Sequence, residues 1–220
     1  MERFGASFLI AGVLTFLLGF FLQGVMPIIT LRKVPVTTIE EIAQDVTPEF
    51  EQLAEDYPEE FSRYFGEVSP ATFAEALRLG RDRYIAEACW HCHSQFVRPV
   101  SNEDVRFGPV SDASEYQNEM NLPHLFGTRR VGPDLIREAG KHSNDWQMAH
   151  LYDPRSVSPY SVMPGYVWYF DEDRRPEKEA LAIVAYVQWL GSWAQPGAAA
   201  EPAPADRAGA GAGGAGGGAR

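Results

Sequence analysis

From Phe4 to Leu31 the chain carries no charged side chain, and this run, FGASFLIAGVLTFLLGFFLQGVMPIITL, limits what the rest can fold into. As one helix rising about 1.5 Å per residue it reaches roughly 42 Å, more than the roughly 30 Å of a bilayer's hydrocarbon core. A cleaved signal peptide has an apolar stretch of only about 7 to 15 residues, ending at a small-residue A-x-A site, and neither feature is present. The expectation is a retained single-pass anchor, residues 1–33, surrounded by lipid. Flanking charge does not orient it, because Glu2 and Arg3 precede the run while Arg32 and Lys33 follow it.

An acidic segment comes next, assigned to residues 34–68. Between Val34 and Ser62 there is no Lys or Arg, yet the segment holds Glu40, Glu41, Asp45, Glu49, Glu51, Glu55, Asp56, Glu59 and Glu60. It accounts for most of a net charge of −11, a balance that argues against nucleic acid as a partner. Ile39, Ile42, Ala43, Val46, Phe50, Leu53 and Ala54 recur at near-helical spacing, so short amphipathic helices interrupted before Pro48 and Pro58 are expected. The segment reads equally as a solvated linker or as a docking surface for a basic partner.

Ser69-Pro70 has the form of a helix start, with a serine cap and proline at the first helical position. Phe73, Ala76, Leu77, Gly80 and Tyr84 then make an apolar stripe that leads into Cys89-Trp90-His91-Cys92-His93. These are the only two cysteines of 220 residues, which excludes a disulfide framework. C-x-x-C-H is the attachment signature of a c-type haem. Two thiols on one tight turn add to the two vinyl groups of a porphyrin, and the adjacent histidine lies under the iron as an axial ligand. A structural zinc site would need a second pair of ligands, and a thioredoxin-like C-x-x-C would follow a strand. One covalently attached haem c is expected on Cys89, Cys92 and His93.

The sixth iron ligand is assigned to Met163, which precedes Pro164 in a loop before the last helix. Met120 and Met148 read as buried gap-fillers, and His124, His142 and His150 are rival ligands with ordinary loop or surface roles. A His93/Met163 pair raises the reduction potential and closes the iron, which suits electron transfer over oxygen chemistry. Ser94 to Tyr160 is expected to be loops and short helices, and Pro176 to Trp193 a helix apolar nearly all round. Its second face suits either the protein's own loops or a catalytic partner. The Ala/Gly/Pro tail, 195–220, is expected to be disordered.

Gly80 and Tyr84 before C-x-x-C-H, then Gly132-Pro133-Asp134-Leu135, a Met-Pro pair and the closing EALAIVAYVQWLG together resemble class I cytochromes c. The resemblance implies a mainly α fold, an anchor followed by a class I helical domain with long loops over 69–194. It also implies a helix crossing near Gly80 and Tyr186, and a Pro133 backbone that steadies His93. CWHCHSQFVRP, FGPVSDASEY and FGTRRVGPDLIREAGKHSNDWQMAHLYDPRSVSPYSVMPGYVW further resemble the mono-haem subunit II of cbb3-type cytochrome oxidases, over roughly Leu79 to Trp168. Gln147 stands where that family usually has a histidine. The likeness implies an electron-transfer subunit of an oxidase complex, not itself the oxygen-reducing site. Its partners would be a membrane-embedded haem-copper catalytic subunit and other cytochrome subunits, and the basic partner of the acidic segment would be a soluble electron donor. Covalent haem is attached outside the cytoplasmic membrane, so the haem domain is expected on its periplasmic side.

Other readings stay open on sequence alone. They are the cytochrome subunit of a nitric oxide reductase, a haem enzyme or gas sensor with a displaceable sixth ligand, and an assembly subunit whose haem is peripheral to electron flow. No acid, base or nucleophile constellation stands out.

Overall fold

A computed structural model describes residues 4–127 and 129–194. The tail expected to be disordered lies outside the described residues. The fold is mainly α, and the described residues hold only two isolated β-bridges, Thr37 with Asn118 and Phe170 with Pro176.

Helix α1 (Gly5–Leu31, 27 residues) is long and apolar enough to cross a bilayer, and its most apolar window has no residue buried by the rest of the chain. It is not uniform. Residues Phe21–Val25 form a π turn, placed where Pro27 would otherwise drive its ring into the carbonyl four residues earlier and leave that carbonyl without a donor. The extra residue in the turn absorbs that conflict.

The acidic stretch folds into α2 (Ile39–Ile42), α3 (Pro48–Asp56) and α4 (Pro58–Tyr64), with proline opening the last two as expected. Ile39, Phe50, Leu53 and Phe61 are almost wholly buried, and Phe50 packs on Phe61 and Phe73 at ring separations of 5.2 and 4.8 Å. The carboxylates occupy the outer faces. The chain between anchor and fold is also fastened: Thr37 N–H donates to the Gln117 carbonyl at 2.9 Å, and Glu119 N–H donates to the Thr37 carbonyl at 3.0 Å.

Helix α5 (Pro70–Ala86) begins at Ser69, whose hydroxyl accepts from the Thr72 N–H while Thr72 Oγ1 accepts from the Ser69 N–H. It leads to the single turn α6 (Cys89–Cys92), then α7 (Glu103–Phe107), α8 (Asn144–Tyr152), α9 (Pro154–Val157) and the closing α10 (Lys178–Trp189). The stretch 94–160 is loops and short helices, as its composition indicates.

The principal helix contact is α5 crossing α10. Gly80 makes it possible: a Cβ there would overlap the Ala182 carbonyl oxygen and come within 2.7 Å of Tyr186 Cβ. Tyr84 meets Tyr186 edge to face at 5.5 Å, one helical turn along. Every residue from Ala180 to Leu190 is buried within the chain itself. Trp189 is 4% exposed and packs on Tyr186 and Trp193, so the second face of α10 is covered by the protein's own residues. The alternative, an α10 face left for a catalytic partner, is thereby excluded.

Candidate functional site

The cysteine turn is set by its approach. Helix α5 ends at Ala86, and Ala88 takes a left-handed conformation, φ 57°, that turns the chain into Cys89–Cys92. His93 N–H then donates to the Cys89 carbonyl at 2.9 Å, which fixes both sulfurs and the histidine to one turn. Cys89 is half-buried and Cys92 exposed. Burial pushes the Cys89 thiol up to about 11, and the Tyr166 hydroxyl bonds to it.

The His93 ring is held from several sides. Its Nδ1 lies 2.9 Å from the Pro133 carbonyl, an atom that can only accept, so Nδ1 carries the proton and Nε2 keeps its lone pair for a metal. Burial holds the imidazole below its usual pKa, which keeps it neutral and able to ligate. Gly132 lies against the same ring: a Cβ there would come within 2.7 Å of both ring nitrogens. The Tyr84 hydroxyl donates to the His93 carbonyl at 3.3 Å, while Gln95 and Tyr186 bond side chain to side chain at 3.0 Å. Tyr116 donates to the Gln95 carbonyl at 2.7 Å.

Behind the turn is a buried charge network that periodicity does not reveal. Asp134, fully buried, accepts from Ser94 Oγ at 2.5 Å, Phe96 N–H at 2.8 Å and Ile136 N–H at 3.0 Å. Arg130 reaches Ser94, the Phe96 carbonyl at 2.6 Å, Glu103 at 2.5 Å and Asp134 at 3.5 Å. Buried Glu103 also accepts from Arg98 N–H at 2.8 Å and Arg98 Nε at 2.7 Å. The Arg130 guanidinium, with Arg98, pulls the Glu103 carboxyl down to about 2 against the opposing cost of burial. Arg98 therefore braces the segment after the haem motif. The only sequence signal was the Arg98-Pro99 pair itself.

Met163 is half-buried against the core. Its loop is strapped to the end of α8 and to α9: Tyr166 N–H donates to the Leu151 carbonyl at 2.9 Å, and Arg155 Nε donates to the Ser161 carbonyl at 3.3 Å. Tyr166 bonds the Cys89 thiol, and Tyr169 donates to Glu87 at 2.6 Å, which brings this loop against the cysteine turn. Met120 and Met148 are core residues, 3% and 4% exposed. His124 packs among Tyr116 and Phe126, and His142 is exposed at the start of α8. Gln147 is buried and donates to Glu138 at 3.1 Å.

A residue passed over as ordinary is His150. Its Nδ1 is buried with no hydrogen-bond partner among the described residues, and burial, with a smaller push from the charge of His93, holds its pKa down at about 4. A buried nitrogen without a partner suits a polar or metal-bearing group not supplied by the chain itself. Among the described residues no three His, Cys, Asp or Glu side chains converge as a protein-only metal site. The donor set suits an iron whose other ligands come from a macrocycle.

An α5–α10 crossing on a glycine, followed by a cysteine turn whose histidine is fixed by a proline carbonyl, defines a class I type of mono-haem cytochrome, here behind an apolar helix of membrane-spanning length. Residues 8–178 match the family model described as cytochrome C oxidase, mono-heme subunit/FixO, and the chain belongs to that family. The family implies a haem c and association with a cytochrome oxidase complex. No curated protein gives a significant match.

Proposed function

We propose that the protein relays single electrons to the haem-copper catalytic subunit of a cbb3-type oxidase, through one haem c bonded to Cys89 and Cys92 and ligated by His93 and Met163. The observation that carries this is the His93 Nδ1 contact with the Pro133 carbonyl, 2.9 Å, on a turn that also holds both thiols. When bound, the haem supplies an iron that gains or loses one electron. The chain's part is to orient. Pro133 fixes the tautomer of His93, Gly132 fixes the tilt of its ring, the buried network around Asp134 holds the following backbone, and Tyr166 joins the Met163 loop to the cysteine turn. Residues 1–33 are then the anchor and 34–68 an acidic segment whose apolar side chains join the core of the haem domain, 69–194. Covalent haem attachment outside the cytoplasmic membrane puts that domain on the periplasmic side.

Cys89→Ala with Cys92→Ala should abolish haem staining on a denaturing gel; a stained band surviving both changes refutes covalent attachment there. A second reading gives the sixth position to His150, and its buried, unpartnered Nδ1 favours it. The near-infrared spectrum separates the two. Methionine ligation gives a weak sulfur-to-iron band in the ferric protein, lost in Met163→Ala, and Met163→His should lower the potential because imidazole favours ferric iron over thioether. If the unaltered protein lacks that band, methionine ligation fails, and a changed ferric spectrum in His150→Ala would then support the second reading.

A further inference from the structure

Two bonds from the Met163 loop end on one carboxylate. Tyr169 donates its hydroxyl to Glu87 Oε1 at 2.6 Å, and Trp168 Nε1 donates to the same oxygen at 3.3 Å. Glu87 is the residue that closes α5, and two positions later comes Cys89. Nothing in the helix itself asks for a carboxylate at that point. The last carbonyls of α5 carry the negative end of the helix dipole, which disfavours an acidic side chain there. Nor does Arg83, one turn back on α5, pair with it, since that guanidinium goes to Glu179 at 3.4 Å. The Glu87 carboxylate faces the loop instead.

On its other side the loop rests on α8. Beyond the Tyr166 bond to the Leu151 carbonyl, Gly165 lies so close to Tyr152 that a Cβ would come within 2.5 Å of its carbonyl oxygen. Towards the cysteine turn, among the described residues, the hydrogen-bonded links are Tyr166 to Cys89 and the pair on Glu87. These differ once haem is bonded. The Cys89 sulfur becomes a thioether, a weak acceptor, and the Tyr166 bond weakens with it. A carboxylate remains a charged acceptor, and a bond to it is about twice as strong as one between neutral groups. Glu87 therefore carries the link that survives attachment. Its main donor is itself fixed: Tyr169 is buried, and its carbonyl accepts from the Glu177 N–H at 2.9 Å. Burial, with the Glu87 bond, raises the Tyr169 phenol to about 12, so it stays a donor at neutral pH.

We propose that Glu87 is a positioning residue for the sixth iron ligand: by holding Tyr169 and Trp168 it keeps the Met163 loop against the cysteine turn. This rests on the haem and Met163 reading above. The loop has two arrangements, with the thioether on the iron or swung away, and bonds made only in the first raise its population. A competing ligand in solution senses the difference. It reaches the iron only when Met163 is off, so its apparent affinity scales with the fraction of open loop. In that exchange the nitrogen of the competitor takes the place of the Met163 sulfur, and the oxidation state of the iron does not change.

The test uses full-length ferric holoprotein in detergent, titrated with imidazole and followed by loss of the near-infrared sulfur-to-iron band. Glu87→Ala should keep covalent haem on a denaturing gel and bind imidazole about tenfold more tightly. Glu87→Gln, whose amide oxygen still accepts both bonds, should recover most of the difference. Tyr169→Phe with Trp168→Phe cuts the same bonds from the loop side and should match Glu87→Ala, and joining the two sets should add little. Phe61→Leu, in the core under the acidic helices, is the stability control: it should lower the urea midpoint and leave imidazole affinity unchanged. If Glu87→Ala fails to hold haem, the Tyr169/Trp168 double variant takes its place with the same expectation. Unaltered imidazole affinity when the bonds are cut, an equal gain in Phe61→Leu, or fully additive gains from the two sides overturns the proposal. Unaltered holoprotein with covalent haem but no near-infrared band refutes Met163 ligation before any variant is made, and the proposal falls with it.

Discussion

Gly132 shows how little freedom the site leaves a single residue. Any side chain there must occupy the volume of the His93 ring, so Gly132→Ala has to tilt the imidazole off the Pro133 carbonyl or push the loop away. Overpacking of this kind costs about 1–3 kcal/mol, and the holoprotein should show that loss in urea unfolding together with a changed ferric spectrum. A second residue sets an acid limit. The folded Glu103 carboxyl titrates at about 2, below its ordinary value of 4.5, because Arg130 and Arg98 bond its charged form. The native state then binds fewer protons than the unfolded state, so this stabilisation is complete above about pH 4.5 and is lost as pH falls towards 2. Urea midpoints measured down that range should decline, and Glu103→Gln, less stable at pH 7, should decline less.

At the scale of the element, the α5–α10 crossing is the part most exposed to substitution. Gly80→Val would force a branched side chain into the Ala182 backbone, where no flexible neighbour can yield. The expected result is a loss of at least about 3 kcal/mol, or no folded holoprotein, seen as a lower urea midpoint or lost yield. This crossing was legible in the sequence. Ser69-Pro70 announced the start of α5, the stripe through Phe73, Leu77 and Tyr84 gave its buried face, and the apolar run from Ala180 gave α10. The cysteine turn was legible for a similar reason, since its chemistry needs fixed spacing. What stayed hidden was pairing between loops. Arg98, Glu103, Arg130 and Asp134 meet across more than thirty positions with no period to mark them. The acidic segment showed its apolar positions but not what they cover, and nothing local told that Phe50 would face Phe73.

For the whole molecule, α1 stands apart from the rest of the chain, with its apolar side chains turned outward and no protein around them. Deleting residues 4–31 should therefore move the protein from a membrane fraction that resists alkaline carbonate into the soluble fraction, with the urea midpoint of the remaining domain unchanged. Retention in the membrane after the deletion would mean that another surface binds lipid or a partner tightly. The fastening at Thr37 has a further consequence. Helix α1 ends at Leu31 and Thr37 is already bonded on both sides to residues 117–119, so only Arg32 to Val36 remain as tether, a reach of about 17 Å at full extension. The domain cannot range through the surrounding compartment. It is leashed within a small hemisphere around the end of α1, where a subunit of the oxidase complex held beside that helix meets it at high effective concentration.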